Sequence, residues 1–349
     1  MTARFGVIGF RAWGSCYAGA IAKCGGAKLT AIAGNTPESL GRAAEKHPDV
    51  ALTANYRELL ARDDVDIVSV VVLNALHEEM AVAAFDAGKH VLLEKPMANS
   101  ISACDRILDA ARDSGRLLCI AHELRLSSQW GRIKSLVSEG RLGDPMYLTI
   151  ELWRRPYRSG SDGWRYDSDL VGSWMLEEII HFVDLAPWYF EDLGEPASIS
   201  AAGNSKGRDA GLYDNFSLTL RWPGGQYAVI SQKVAGFDND MTAGLVGTAG
   251  AVRAQWSAAM NRSDTPSASM RLIEDLTGEE RFDISEPQEI VLERPSGEIF
   301  ELDTLISHTV KSIESGVPLV SGEEGRRAVA ICRAAEMAMN ERREVDLDL

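Results

Sequence analysis

Three short stretches of this sequence carry side chains whose types and spacing could do redox or acid–base chemistry. In GVIGFRAWGS, Gly9 and Gly14 occupy the first and third positions of a G-x-G-x-x-G dinucleotide turn. The first glycine of such a turn permits the sharp bend, the second lets backbone approach the pyrophosphate, and the third allows close helix–strand packing. Here the middle position is Arg11, which removes that space but brings a guanidinium able to pair with a phosphate. The second stretch is E-K-P, Glu94-Lys95-Pro96, at the end of the apolar run HVLL. A lysine at the carboxyl end of a parallel strand would point into the crevice where α/β sheets bind ligands, and desolvation there would lower its pKa. In the third, GSWMLEEIIHFVDLAPWY, Glu177, His181 and Asp184 fall at i, i+4 and i+7, so a regular helix would put all three on one face. A carboxylate one turn from an imidazole suits general acid–base work. No further His or Cys cluster completes a metal site, so no metal is expected. On spacing alone each stretch has a plainer reading: a loop that binds nothing, a surface turn, and a polar helix stripe facing solvent or a domain interface.

Repeated β-α units hold the first two stretches. RFGVIGF, AKLTAIAG, VDIVSVVVL, KHVLLEKP and RLLCIAHEL read as strands, the third a β-branched run of the kind buried on both faces. Helices are expected between them, one with Thr36 as N-cap and Pro37 at N1, others closing on Gly88 and Gly115. The second strand ends in Gly34-Asn35 where NAD enzymes place a carboxylate for the ribose; no Lys or Arg follows at once, so NAD and NADP both stay open. After about residue 123 the texture changes to PMYLTIELWR, ASISAAG, NFSLTLRW and QYAVISQKV, strands separated by turn signals, with a long terminal helix. The expectation is a doubly wound parallel α/β domain at 1–123 and an α+β domain with a mostly antiparallel open sheet at 124–349.

Length and composition agree with two globular domains: 349 residues, 45% hydrophobic and 25% charged. A net charge of −15 argues against nucleic acid and anionic membrane surfaces as partners. Five scattered cysteines without C-x-x-C spacing fit reduced thiols, and no signal-like segment opens the chain, so a cytoplasmic protein is expected.

The order of these motifs resembles the glucose-fructose oxidoreductase / inositol dehydrogenase / rhizopine-catabolism (Gfo/Idh/MocA) family. Beside the near G-x-G-x-x-G and AGKHVLLEKP, the chain has VLNALH (Leu73, Asn74, His77), Trp164-Arg165 ahead of a glycine-led helix ending HFVDL, and LVSGEEG before the final helix. The resemblance covers essentially the whole chain. AGN at 33–35 is similar to the corresponding turn of glucose-fructose oxidoreductase, which uses NADP.

The resemblance implies a Rossmann domain and a dehydrogenase moving hydride between NAD or NADP and a hydroxyl carbon of a sugar or polyol. Lys95 matches the lysine between nicotinamide and substrate, and His181 matches the acid–base histidine. Glu177 stands where the family usually has Asp, one methylene longer. Cofactor contacts would come from Gly9, Phe10, Arg11, Ala12, Trp13, Gly14, Gly34, Asn35, Leu73, Asn74, His77, Glu94 and Lys95. His122, Arg125, Arg155, Arg158, Trp164, Arg165 and Trp174 would join His181 at the substrate, with Trp153 and Tyr157 adding stacking surface. Arginines turned inward would favour an acidic or phosphorylated sugar; WRRPYRSGSDGWRYD also reads as a solvated loop. Family analogy suggests a homo-oligomer, a dimer or tetramer. Arg11 keeps two other readings open, a redox-assisted glycosidase or epimerase and a non-catalytic sensor. Lys95 and His181 together favour the dehydrogenase.

Overall fold

The computed structural model describes residues 2–206, 211–234, 237–260, 262–274 and 286–349. In chain order its elements begin β1 Ala3–Ile8, α1 Ala12–Lys23, β2 Ala27–Ala33, α2 Pro37–Lys46, β3 Ala51–Thr53, α3 Tyr56–Leu60, β4 Ile67–Val70, α4 His77–Asp86, β5 His90–Glu94, α5 Ile101–Ser114 and β6 Leu118–Ala121. They continue α6 Trp130–Ser138, β7 Pro145–Arg154, α7 Ser168–Val171, α8 Ile180–Tyr189, β8 Ser198–Asn204, β9 Asn215–Arg221, β10 Tyr227–Val234, β11 Asn239–Gly247 and β12 Gly250–Ala258. The chain closes with β13 Ser267–Glu274, β14 Gln288–Glu289, α9 Leu302–Ser315, α10 Gly322–Glu341 and β15 Val345–Asp346.

Two compact units result. The first holds residues 1–123, 169–172 and 302–329; the second holds 124–168, 173–301 and 330–349. A single cut at 123/124 therefore misses the return of α9 and the start of α10 to the first unit. No composition change marks that return. It is fixed by packing, since Gly322 and Gly325 of α10 lie so close to Leu118 and Ile120 of β6 that a Cβ would collide with either side chain.

Among the described residues the first unit has one six-stranded, all-parallel sheet in the order β3-β2-β1-β4-β5-β6. The order reverses at β1/β4, the switch point where such sheets bind ligands. Every residue of β4 is buried, as its β-branched run requires. The turn chemistry follows the sequence: Thr36 caps α2 with a reciprocal box to Ser39, Ser100 caps α5, and Gly115 closes α5 at φ 62°.

The second unit is built on a mixed sheet of nine strands among the described residues, ordered β14-β13-β12-β11-β7-β10-β9-β8-β15. Its one parallel pairing in that order is β7/β10; the rest are antiparallel. TAGLVGTAGAVRAQW divides into the hairpin β11/β12. Helix α8 is apolar nearly all round and buried along almost its whole length, as such a helix must be. No described helix is long and apolar enough to cross a membrane.

Candidate active site

The glycine turn sits where β1 and β4 end side by side. Gly9 has φ 95°, and a Cβ there would lie 2.1 Å from the Val71 carbonyl oxygen. At Gly14 a Cβ would lie 1.9 Å from the Gly9 carbonyl oxygen. Both clashes are with backbone, so neither position tolerates a side chain without moving a strand end or the start of α1. Arg11 takes the N-cap of α1 in extended conformation, makes no side-chain cap bond, and no acid occupies the first turn. No carboxylate of the helix itself offsets the positive end of its dipole, which suits an anion. Gly34 is buried and Asn35 exposed at the end of β2.

Around E-K-P, polar atoms converge on one carboxylate. Trp13 Nε1 and Tyr17 Oη both donate to Glu94 Oε1, at 2.6 and 2.5 Å, and the Lys95 backbone N–H reaches Glu94 Oε2 at 3.1 Å. Glu94 therefore ties the first two turns of α1 to the end of β5, and Trp13 supports this junction through its indole N–H. His77 is fully buried, its Nδ1 2.7 Å from the Pro96 carbonyl, and Asn74 donates to the Val171 carbonyl at 2.9 Å. Leu73 precedes this turn, and His122, 1% exposed, follows β6. Lys95 itself is partly exposed.

In the second unit the expected single helix is instead a π-helical turn, Met175–Ile179, running into α8. Ile180 N–H bonds to the Met175 carbonyl, five residues back. Such turns widen a helix locally and recur at functional sites. The extra residue breaks the regular repeat, so Glu177, His181 and Asp184 do not form the uniform face expected from their spacing. Each carboxylate has its own arginine. Arg165 Nε donates to Glu177 at 2.7 Å, and Arg154 donates to Glu178 at 2.7 Å with both side chains 9% exposed. Arg125 grips Asp184 with two bonds of 2.8 and 2.6 Å, the side chains 2% and 1% exposed. Burial would lower the Arg154 pKa, but neighbouring Tyr157 and Glu178 outweigh it and raise it.

His181, 3% exposed, lines a crevice of about 20 Å³ with Glu178, Phe182, Met241 and Trp256. Leu124, Trp130 and Gly297 lie deeper or beside them, and Arg262 and Glu298, paired at 2.7 Å, complete the lining.

Several substrate-contact expectations need correcting. Trp174 is fully buried, stacked on Tyr157 at 4.6 Å and met edge-on by Tyr166, so it has no exposed face for a ring to stack on. Tyr157 lies between Trp174 and the Arg154 guanidinium, 3.6 Å from its centroid, and is equally enclosed. Arg125 is locked to Asp184, and Arg155 pairs with Asp238 at the surface. Arg158 is exposed near the Met260 sulfur, while Trp164 carries the Arg165 guanidinium over its ring at 4.5 Å. Trp153 stands on the sheet beside Glu151 and Lys233. Of the arginines expected to face a ligand, Arg125, Arg155 and Arg165 already have carboxylate partners.

The sequence leaves Glu177 and its neighbour Glu178 as alternatives one turn before His181, and it is Glu178 that lines the crevice with His181. Sequence reasoning missed Arg154, the partner of Glu178 at the end of β7. Met241 and Trp256 are directly paired across β11/β12, a relation no local motif reveals.

The first unit's residues fit a dinucleotide. Gly9 and Gly14 let the ends of β1 and β4 and the start of α1 close on one another with no room for a side chain, and the α1 N-terminus at Arg11, Ala12 and Trp13 offers backbone N–H groups for the pyrophosphate. Residues 3–122 match the description "Oxidoreductase family, NAD-binding Rossmann fold", and residues 130–253 match the Gfo/Idh/MocA C-terminal domain. The chain belongs to the Gfo/Idh/MocA oxidoreductase family. Inositol 2-dehydrogenase/D-chiro-inositol 3-dehydrogenase of Halalkalibacterium halodurans is 30% identical over 64% of this chain and 63% of its own length, just under two thirds of that relative. Myo-inositol 2-dehydrogenase of Thermotoga maritima is 28% identical over 99% of this chain and 98% of its own. Levoglucosan dehydrogenase, solved in complex with NADH and L-sorbose, shares the fold with a TM-score of 0.84 over 99% of each chain at 20% identity. Membership in the Gfo/Idh/MocA family accounts for the doubly wound sheet followed by a large mixed sheet.

Proposed function

We propose that this chain is an NAD(P)-dependent dehydrogenase acting on a hydroxyl-bearing carbon of a sugar or polyol. The observation that carries the reading is His181, held by a buried helix at the wall of a crevice shared with Glu178, in a chain whose other unit keeps the backbone-closed glycine turn and E-K-P. When bound, the nicotinamide supplies the hydride acceptor. In this reading His181 takes the proton of the substrate hydroxyl as its carbon loses hydride, and Lys95 of the first unit serves beside the nicotinamide. Glu178 and Glu177, each fixed by an arginine, hold substrate hydroxyls or the imidazole in register. Gly9, Arg11, Gly14, Gly34, Asn35 and Asn74 would hold the dinucleotide.

The reading includes a cytoplasmic homo-oligomer. Free cysteines support the first part. The cross-strand row Tyr147, Tyr227 and Val246, with Tyr227 41% and Val246 40% exposed, supports the second. Light scattering reads the mass directly, and a monomer at working concentration would remove that part.

Nucleotide binding and turnover test the whole. NADH or NADPH should quench tryptophan fluorescence saturably in the wild type, and Gly14→Ala should weaken that binding at least tenfold. With a sugar and polyol panel, His181→Asn and Lys95→Met should lower kcat by about 10²- to 10⁴-fold while nucleotide binding persists. Absence of nucleotide binding, or full kcat in His181→Asn, would overturn the reading.

A further inference from the structure

The crevice beside His181 is balanced in charge and apolar over much of its lining. Helix α8 contributes Phe182, 1% exposed, and β12 contributes Trp256, 2% exposed, next to its cross-strand partner Met241. The charged groups on the lining are already matched: Glu178 by Arg154 and Arg262 by Glu298, each at 2.7 Å. The same holds for the neighbouring pair Arg165–Glu177. An incoming phosphate or carboxylate that captured Arg154 from Glu178 would leave a buried carboxylate unpaired, an exchange that is unfavourable where water is scarce, whereas Arg262, 35% exposed, is held less firmly by Glu298. The volume, about 20 Å³, is that of one water-sized or methyl-sized group. A group of that size set against Trp256, Met241 and Phe182 gains most if it is apolar.

We propose that this crevice is a subsite for an uncharged sugar or polyol that carries a methyl-sized apolar group close to the hydroxyl served by His181. A deoxy (methyl-terminated) or O-methyl carbon has the required size and polarity. The site also discriminates against phosphorylated and carboxylated sugars. This inference rests on the dehydrogenase reading for its reaction, but the subsite can be tested separately from turnover.

The test uses the intact protein with saturating NAD⁺ or NADP⁺ and matched substrates. One set is D-glucose, 6-deoxy-D-glucose, D-glucose 6-phosphate and D-glucuronate; the other is myo-inositol, its mono-O-methyl ether and its monophosphate. In at least one set kcat/KM for the methyl-bearing compound should exceed the parent by about tenfold or more, the scale of one methyl group in a fitted pocket. The anionic compounds should fall at least about a hundredfold below the parent. Met241→Phe, which fills the crevice, should bring the first ratio to one or below. Glu298→Gln, a change at a partly exposed side chain, should raise the anionic compounds relative to the parent by loosening Arg262. A wild-type preference for an anionic compound, or parent and methyl-bearing compounds equal in both sets, would overturn the subsite. If no compound in either set is oxidised, calorimetric binding of the same compounds to the NADH-loaded protein decides the subsite apart from turnover. Tighter binding of the methyl-bearing compound sustains it; equal, weaker or absent binding overturns it.

Discussion

At the end of β1, position is set by backbone space. Gly9 and Gly14 allow carbonyl oxygens 2.1 and 1.9 Å from where a Cβ would stand, and Thr36 and Ser39 fix the next turn through their own neighbours. Around the π-turn, position is set by charge across long sequence separations. Arg125 reaches Asp184, 59 residues on, and Arg154 reaches Glu178, 24 residues on. The first arrangement is local and steric and needs particular residue types at fixed spacing. The second is distant and electrostatic, and it holds only while both members of each pair stay buried together. The two regions should therefore fail differently.

The largest effect is expected from breaking the innermost pair. Arg125 and Asp184 are 2% and 1% exposed, so Arg125→Met leaves a buried carboxylate uncompensated and should cost about 3–5 kcal/mol in urea unfolding. The double change Arg125→Met/Asp184→Leu removes both charges and should recover most of that loss. Arg155→Met at the exposed pair with Asp238 should change stability little. A single and a double variant equally destabilised would mean that the site depends on the shape of these side chains and not on their charge.

A smaller effect separates the two ways of holding a glycine turn. Gly9 is held by strand ends, whereas Gly297, at φ 130°, is held by Glu301, whose carboxylate accepts the Gly297 N–H at 3.2 and 3.3 Å. Burial raises the Glu301 pKa from 4.5 to about 7, with the Gly297 N–H and Arg294 opposing and Glu298 adding slightly. The folded pKa lies above the unfolded one, so the folded state binds the proton more tightly. The stabilisation is complete below about pH 4.5 and is lost as pH rises to about 7, roughly 3 kcal/mol in all. Unfolding free energies from urea titration at pH 5 and pH 8 should differ by about this amount more in the wild type than in Glu301→Gln. Identical pH profiles in the two proteins would show that Glu301 does not titrate in this window.

The same contrast explains what could be read from the sequence. The parallel sheet, the cap at Thr36, the terminal Gly115 and the strand β7 were legible because each is dictated by residues within a few positions of one another. Lys95 and His181 were legible as chemistry-bearing residues in a recognisable order. The π-turn was not, because MLEEIIHF has good α-helical spacing and only Ile180 bonding to Met175 reveals the extra residue. Arg155 and Arg165 of WRRPYRSGSDGWR looked available for a ligand because their carboxylate partners, Asp238 and Glu177, lie on other elements. The return of α9 to the first unit was hidden for the same reason, being decided by packing against α1 and not by any boundary signal.

The smallest expected effect lies at the cap of α2. Thr36 Oγ1 accepts the Ser39 N–H at 3.1 Å and Ser39 Oγ accepts the Thr36 N–H at 3.3 Å. Ser39 is 1% exposed, and a Cβ on Gly34 would stand 2.6 Å from its hydroxyl. Thr36→Ala should cost about 1 kcal/mol in urea unfolding, the ordinary value of one cap. Because Gly34 and Asn35 follow β2, where dinucleotide-binding folds place the residue that meets the ribose, the same variant also probes the cofactor. If the box only starts the helix, NADH and NADPH affinities should fall together by a few-fold at most. A changed ratio between them would mean that the short-range device in the first unit sets specificity as well as shape, a task that in the second unit falls to paired charges.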